Sequence, residues 1–184
     1  MEELELSKLC LEGDSQAQNE LYKRYSNRLY AICIRYSGDR DIAQDLLHDG
    51  FIKIFNSFDK FSWRGEGSLR AWMDRIVVNT SLQYLRDQKR LGQEVEIEEV
   101  LETNSDDTEM EDAEQIPQKV LFEFIQSLPD GYRTVFNLYV LENKSHKEIG
   151  DLLGINERSS ASQLFRAKKV LAEKITVWMS QNGY

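Results

Sequence analysis

Apolar residues recur along this chain at three- and four-residue intervals, with no run of strict alternation to suggest strands and no internal repeat. Leu21, Tyr22, Tyr25, Leu29, Ile32 and Cys33 share one helical face, and Asp14 and Ser15 offer the cap before it. Ser37-Gly38-Asp39 breaks that helix, and Asp41 to Phe58 forms the next, with Leu46, Leu47, Phe51, Ile54 and Phe55 apolar. Ser62 to Ser68 holds two glycines and reads as a loop, after which Ser68 caps a helix running to about Lys89. On that helix Leu69, Trp72, Met73, Ile76, Val77, Thr80 and Tyr84 fall on one face, the predicted core side. The pattern stops over residues 93–116. It resumes as helices near 117–127, 130–142, 145–153 and 156–180, with Pro117 suited to a first helical turn. The prediction is an all-α fold: two small helical domains, residues 1–92 and 117–184, joined by a linker at 93–116.

Charge explains the interruption. The chain of 184 residues carries a net charge of −9, but eleven of its acidic residues and none of its basic ones lie in 93–116. The remainder holds 23 basic against 21 acidic residues, a balance of +2. An acidic segment poor in aromatics cannot bury enough surface to fold, so it reads as a flexible acidic tether.

Composition narrows the class. The N-terminus reads Met-Glu-Glu-Leu-Glu rather than a basic-apolar leader, and no apolar run reaches membrane-spanning length. The expectation is a soluble, cytoplasmic protein with no direct membrane insertion. Cys10 and Cys33 lack metal-ligand spacing and fall among apolar residues, as buried, reduced thiols do. His48 and His146 are too few and too far apart for a metal site. No nucleophile–base pair or phosphate loop is present, so no metal, no cofactor and no enzymatic activity are expected.

Three helix faces and one loop carry candidate chemistry. Asp45, His48 and Asp49 lie on one side of the helix at 41–58, which suits either a basic protein partner or plain solvation. Arg75, Asn79, Leu82 and Arg86 recur on the helix at 69–89 as a basic stripe, again a binding face or a solvated one. Ahead of it Phe58, Phe61 and Trp63 alternate with Lys60 and Arg64 and lead into Gly65-Glu66-Gly67. Rings interleaved with cations suit single-stranded DNA, although some of these rings must close the core under the loop; Trp63 and Arg64 are the pair expected to be exposed.

The last third has the pattern of a helix-turn-helix. Ser145 and Glu148 form a capping box, and Ile149, Leu152 and Leu153 give an apolar stripe. Gly150 permits close helix approach and Gly154 a left-handed turn, and Asn156 caps a second helix bearing Arg158, Arg166, Lys168 and Lys169. Such a helix suits a DNA major groove, although glycine-turn helix pairs also occur in purely structural bundles.

Together these pieces resemble the sigma-70 family of bacterial transcription initiation factors, in particular its group 4, or extracytoplasmic function (ECF), class. Asp41-Ile-Ala-Gln-Asp45-Leu-Leu-His-Asp49-Gly-Phe51 resembles the segment that binds the clamp helices of core RNA polymerase. Phe61 to Trp72 is similar to the promoter-melting segment, and Arg75 to Arg86 to the reader of the minus-ten element. Leu128-Pro-Asp-Gly-Tyr132-Arg133-Thr-Val-Phe136 and the helix-turn-helix resemble the minus-thirty-five domain. The resemblance implies polymerase contacts by Asp45, Leu46, His48, Asp49 and Phe51. It implies DNA contacts by Trp63, Arg64, Arg75, Asn79 and Arg86, with single-stranded DNA near the start site. For duplex DNA upstream it implies Arg158, Ser159, Ser162, Gln163, Arg166 and Lys169. It also points to an anti-sigma factor as a further partner, and to an acidic linker threaded through polymerase channels that accommodate nucleic acid.

The chain departs from the family pattern in places. His48 and Asp49 stand where Gln and Glu are common, which should preserve docking. Ser160 occupies a place that is usually apolar, from which looser packing is expected. Ala161 and Gln163 replace residues that are often basic, leaving a weakly charged reading helix. Two rivals are a self-standing helix-turn-helix regulator, which predicts tight DNA binding without polymerase, and a helical adaptor, which leaves the aromatic-basic loop and the stripe unexplained.

Overall fold

Side-chain caps set the helix boundaries that apolar periodicity leaves loose. The computed structural model of the chain describes residues 2–90 and 116–182, with side chains described for 2–88 and 116–182. The acidic linker, apart from Ile116, lies outside the described residues. The chain divides into two compact units, Met1–Gln88 and Lys89–Tyr184, and the described residues of both are helical, without strands.

The first unit comprises α1 (Glu3–Leu11), α2 (Ser15–Ser37), α3 (Arg40–Phe55), a 3-10 turn at Phe58–Lys60 and α4 (Ser68–Arg90). Asp14 starts α2 by accepting a hydrogen bond from the Ala17 amide at 2.7 Å. Gly38, at φ 69°, ends α2 in the left-handed conformation, and Asp39 at once caps α3 by accepting from Asp41 N and Ile42 N. Leu21, Leu29 and Cys33 of α2, Leu46, Leu47, Phe51 and Ile54 of α3, and Leu69, Met73 and Val77 of α4 are buried. A Cβ on Gly50 would stand 3.0 Å from Val77 Cγ2, so α3 and α4 approach closely at that point. Arg28 and Asp74 form a two-pronged ion pair between α2 and α4, but its exposure limits its worth to about 1 kcal/mol or less.

Sequence and structure part at three places here. The helix expected to reach Phe58 stops at Phe55 and gives way to the 3-10 turn. The side chain of Ser68 does not cap α4. Its Oγ donates to Gly65 O at 2.6 Å and accepts from Arg64 N at 3.3 Å, closing the preceding loop instead. Trp72, Ile76 and Tyr84, expected in the core, are half-buried, whereas Val78, Ser81 and Leu82 are buried.

The second unit comprises α5 (Gln118–Gln126), α6 (Asp130–Phe136) with a π-helical extension at Asn137–Leu141, α7 (His146–Leu153) and α8 (Glu157–Asn182). Its core includes Leu128, Val135, Leu138, Ile149, Leu164, Leu171 and Ile175. Arg133, 4% exposed, braces the α5–α6 corner by donating to Leu128 O and Gln126 O and pairing with Asp130. A buried guanidinium is tolerated only with such partners. The segment expected as one helix over 130–142 changes pitch: Glu142 N donates to Asn137 O, five residues back, and Asn143 follows at φ 52°. Among the described residues no helix is long and apolar enough to cross a membrane, and no group of three or more His, Cys, Asp or Glu could hold a metal ion.

Candidate nucleic-acid interface

In the first unit the exposed stripe on α4 consists of Arg75, Asn79, Gln83 and Arg86. Leu82 does not belong to it; it is 1% exposed and packs inside. The neighbouring residue Gln83 takes its place: its amide accepts from the Arg86 guanidinium at 2.9 Å and donates to Asp87 at 2.8 Å. Facing the stripe, Lys53 of α3 donates to Thr80 Oγ1 at 3.2 Å. Lys53, Ser57, Ile76, Asn79, Thr80, Gln83 and Arg86 line an open groove of about 400 Å³. Two cations, two amides and one apolar wall can hold a base edge and its phosphate. Sequence reasoning missed Lys53 and Gln83. Gln83 was within reach, four residues after Asn79 at helical spacing, but no single-helix pattern announces that Lys53 meets α4.

The loop before α4 sorts its aromatic residues. Phe58 is buried against Trp72, with ring centroids 5.2 Å apart, and Phe61 lies 5.1 Å from Trp72 and 6.4 Å from Phe58. These three rings close the core. Trp63 stands outside the cluster, half-buried, and Arg64 is exposed. Gly65 at φ 110° and Gly67 at φ 81° make the turn that carries them.

On α3, Asp45, His48 and Asp49 are exposed together with Ile52, which is 58% exposed. Leu46 and Phe51 are not part of that surface. Each is 4% exposed, and the Phe51 ring packs 4.6 Å from Tyr22 and 5.8 Å from Phe55. Side chains so buried stabilise α3 from beneath and cannot dock a partner directly.

The helix-turn-helix is formed by α7 and α8. Ser145 Oγ accepts from Glu148 N, and Glu148 Oε2 accepts from Ser145 N at 2.8 Å. That backbone bond and the Ser145 hydroxyl hold the Glu148 carboxyl below its ordinary range. At Gly150 a Cβ would lie 2.7 Å from the Ile155 carbonyl oxygen, and Gly154 turns the chain at φ 68°. Asn156 Oδ1 accepts from Ser159 N at 2.7 Å and starts α8.

Around the α8 axis, Arg158, Ser159, Ser162, Gln163, Arg166 and Lys169 span an arc of about 140°, taking about 100° per residue. Buried Ser160, Leu164, Ala167, Leu171 and Ile175 occupy the opposite side. Arg158 and Lys169 are exposed, and the four between are half-buried. The Arg166 guanidinium donates to Tyr132 Oη at 3.1 Å, which steers it toward α6. Ser160 does not loosen the packing. It is wholly buried, and its hydroxyl meets His146 Nδ1 at 3.0 Å, while the His146 ring stacks on Tyr139 at 4.7 Å. The serine and histidine together satisfy a polar contact where two apolar groups would otherwise pack.

Residues 21–91 match the Sigma-70 region 2 family and residues 119–171 match Sigma-70 region 4. The ECF RNA polymerase sigma-E factor of Haemophilus influenzae is 30% identical over 175 residues, covering 89% of this chain and 90% of that protein. The chain belongs to the sigma-70 family, in its ECF class. The ECF RNA polymerase sigma-E factor of Escherichia coli (strain K12) is 27% identical over 172 residues, with 89% of this chain and 88% of that one covered. The sigma factor RpoE from Bartonella quintana, solved in complex with the anti-sigma factor NepR, aligns with a TM-score of 0.49 at 20% identity, covering 86% of this chain and 96% of that chain. As an RNA polymerase sigma factor, the protein directs transcription initiation. The region 2 match takes in the α3 face, the loop and the groove of this sigma factor, and the region 4 match takes in its helix-turn-helix.

Proposed function

We propose that this sigma factor divides its work between its two helical parts. Residues 1–92 dock on core polymerase through the exposed Asp45, His48 and Asp49 of α3, with Leu46 and Phe51 supporting that surface from below. The same part holds the start-proximal promoter element. Arg75, Asn79 and Arg86 follow the DNA strand, joined by Lys53 and Gln83, and Trp63 with Arg64 captures an unpaired base. Stacking of a base on an indole is worth about 1–3 kcal/mol, comparable to the cost of unstacking it from the duplex. Residues 117–184 read duplex DNA upstream through Arg158, Ser159, Ser162, Gln163, Arg166 and Lys169, and the segment 93–116 joins the two. The chain makes and breaks no bond, and phosphodiester synthesis belongs to the polymerase. An anti-sigma protein is the further partner that membership of this class suggests.

The observation that carries this reading is the groove between α3 and α4, where Lys53, Asn79, Gln83 and Arg86 converge from two helices. The deciding experiment mixes the purified chain with bacterial core RNA polymerase and probes a promoter library by gel shift, with and without the polymerase. Promoter binding that requires the polymerase, and that is lost in Asn79→Ala/Arg86→Ala, is the expected result. Tight promoter binding by the chain alone, without association with polymerase, would overturn it in favour of an independent regulator.

A further inference from the structure

The loop that bears Trp63 and Arg64 is tied down from outside both its own sequence and α4. Gly67 is the residue before α4, since its carbonyl accepts the first helical bond, from Ala71 N at 3.0 Å. Its own N–H has no partner within the helix. In a capping box a Glu or Gln at the third helical position accepts that N–H, but here the position holds Arg70, which has no acceptor to offer. Glu3 of α1 does the job from 64 positions away: its Oε2 accepts from Gly67 N at 2.7 Å. Its Oε1 accepts from the Tyr25 hydroxyl of α2 at 2.9 Å. Tyr25 is 8% exposed, so one side of the carboxylate is seated on the core while the other holds the loop. Burial, then the hydrogen bond and charge of Glu3, push the Tyr25 phenol up to about 12, which keeps it a donor at any physiological pH. α1 also packs against the 3-10 turn at Phe58–Lys60, so it meets the chain on both sides of the loop.

We infer that Glu3 is a positioning residue for the Ser62–Ser68 loop, fixing the conformation in which Trp63 and Arg64 receive unpaired DNA. The inference rests on the reading of that loop as a base-capturing element. Glu3 itself lies outside the segment matched by the region 2 family. Two glycines at positive φ give the loop many alternatives once it is untied. Ordering it would then oppose DNA binding, whereas Glu3 completes the ordering during folding. The two hydrogen bonds of Glu3 go to Tyr25 and Gly67 and not to the exposed residues of α3, so polymerase docking should be untouched.

The test uses holoenzyme formed from the full chain and core polymerase, and a fluorescent single-stranded oligonucleotide selected from a randomised pool by the wild-type holoenzyme. Glu3→Ala should weaken oligonucleotide binding about tenfold, the scale of one lost hydrogen bond to a charged group. Polymerase affinity should stay near wild type, and the thermal midpoint should drop by only several degrees, the cost of the Tyr25 hydroxyl left without its acceptor. Glu3→Gln should recover most of the loss, because its amide oxygen still accepts from Gly67 and its N–H can donate to the Tyr25 oxygen. By NMR of ¹³C-labelled tyrosine, the Tyr25 titration in Glu3→Ala should fall from about 12 toward the ordinary 10. Trp63→Ala separates the two ideas. If it weakens oligonucleotide binding and Glu3→Ala does not, the positioning role is wrong and the loop reading stands. If Trp63→Ala has no effect, the loop reading fails and the inference with it. Loss of polymerase binding and of thermal stability in step with oligonucleotide binding would make Glu3 a fold element and overturn the inference. Should Glu3→Ala not fold, Tyr25→Phe decides: weaker oligonucleotide binding with polymerase affinity kept supports the role, and unchanged binding overturns it.

Discussion

Ser160 shows how a residue that looks out of place is accommodated. The hydroxyl and the His146 ring nitrogen satisfy each other at 3.0 Å inside the packed α7–α8 angle. Ser160→Ala removes the partner and leaves a half-buried imidazole nitrogen short of a hydrogen bond, at a cost of about 1–2 kcal/mol. Chemical denaturation followed through the second unit would measure it. Desolvation lowers the His146 pKa below the ordinary 6.5; Lys168 adds to the shift and Glu157 opposes it. Between the folded and unfolded values the unfolded chain binds more protons, so stability rises with pH there. The contribution is complete above about 6.5 and is lost as pH falls through the lower folded value. Protection of the α7 and α8 amides, measured as exchange relative to the intrinsic chemical rate at each pH, should therefore fall below pH 6.5 in the wild type, and His146→Gln should reduce that dependence. The α3 residues make the complementary point. Asp45, His48 and Asp49 were legible because helical spacing places them on one polar side. Leu46 and Phe51 fall on the apolar side that the same spacing predicts, and only the family motif, carried over as a string that runs over both faces of a helix, placed them in the contact. Phe51→Ala should cost about 3–5 kcal/mol by opening a cavity, whereas Asp45→Lys/Asp49→Lys should leave the unfolding midpoint in place and abolish co-purification with core polymerase. A double mutant that still bound polymerase would remove α3 from the docking surface.

At the scale of elements, the sequence announces features built from local chemistry and is silent on those decided by a neighbour. Caps at Asp14, Ser145 and Asn156 and turns at Gly38 and Gly154 each rest on one residue and its next few amides, and all five occur in the structure, whereas Ser68, read as a cap on the same grounds, closes the preceding loop instead. The π-helical end of α6 had no such signal. The run from Phe136 to Leu141 has helical apolar spacing, and nothing local distinguishes a bond to the fourth residue back from one to the fifth. What accompanies it is tertiary: Leu138 is buried and Tyr139 stacks on His146. Similarly, the groove depends on Lys53 meeting α4 across an interface that periodicity within one helix cannot describe. Gly150 lies between these cases. Its small size was readable as a place of close approach, and the structure supplies the distance, 2.7 Å from a would-be Cβ to the Ile155 carbonyl. Backbone cannot move aside as a flexible side chain can, so Gly150→Ala should destabilise the helix-turn-helix by about 1–3 kcal/mol. It should also lower upstream duplex binding by the holoenzyme while leaving single-stranded oligonucleotide binding unchanged. Equal losses on both probes would show that the damage is not confined to the second unit.

For the whole molecule, the uneven spread of charge matters more than its sum. This sigma factor carries a net charge of −9, because eleven carboxylates are gathered in 93–116 while the remainder stands at +2. Duplex binding draws most of its non-specific free energy from cations neutralising phosphates, and tethered carboxylates oppose that within about 10 Å at moderate salt. The α8 face proposed to read DNA contributes few cations to compensate, since Ser159, Ser162 and Gln163 are neutral and Arg166 is partly engaged by Tyr132. Free chain should therefore bind promoter duplex weakly, and the linker's charge should be a measurable part of the reason. Replacing its acidic residues with the corresponding amides, Asn and Gln, leaves chain length and polarity nearly constant and removes the charge. In that variant the chain alone should bind upstream duplex more tightly, with the gain largest at low salt and shrinking toward nothing near 1 M, where screening reaches about 3 Å. If the linker occupies a polymerase channel that accommodates nucleic acid, as the family resemblance implies, the order should reverse with polymerase present, because the carboxylates suited to that channel would then be missing. A variant indistinguishable from wild type at every salt concentration, alone and in holoenzyme, would mean that the linker acts only through its length.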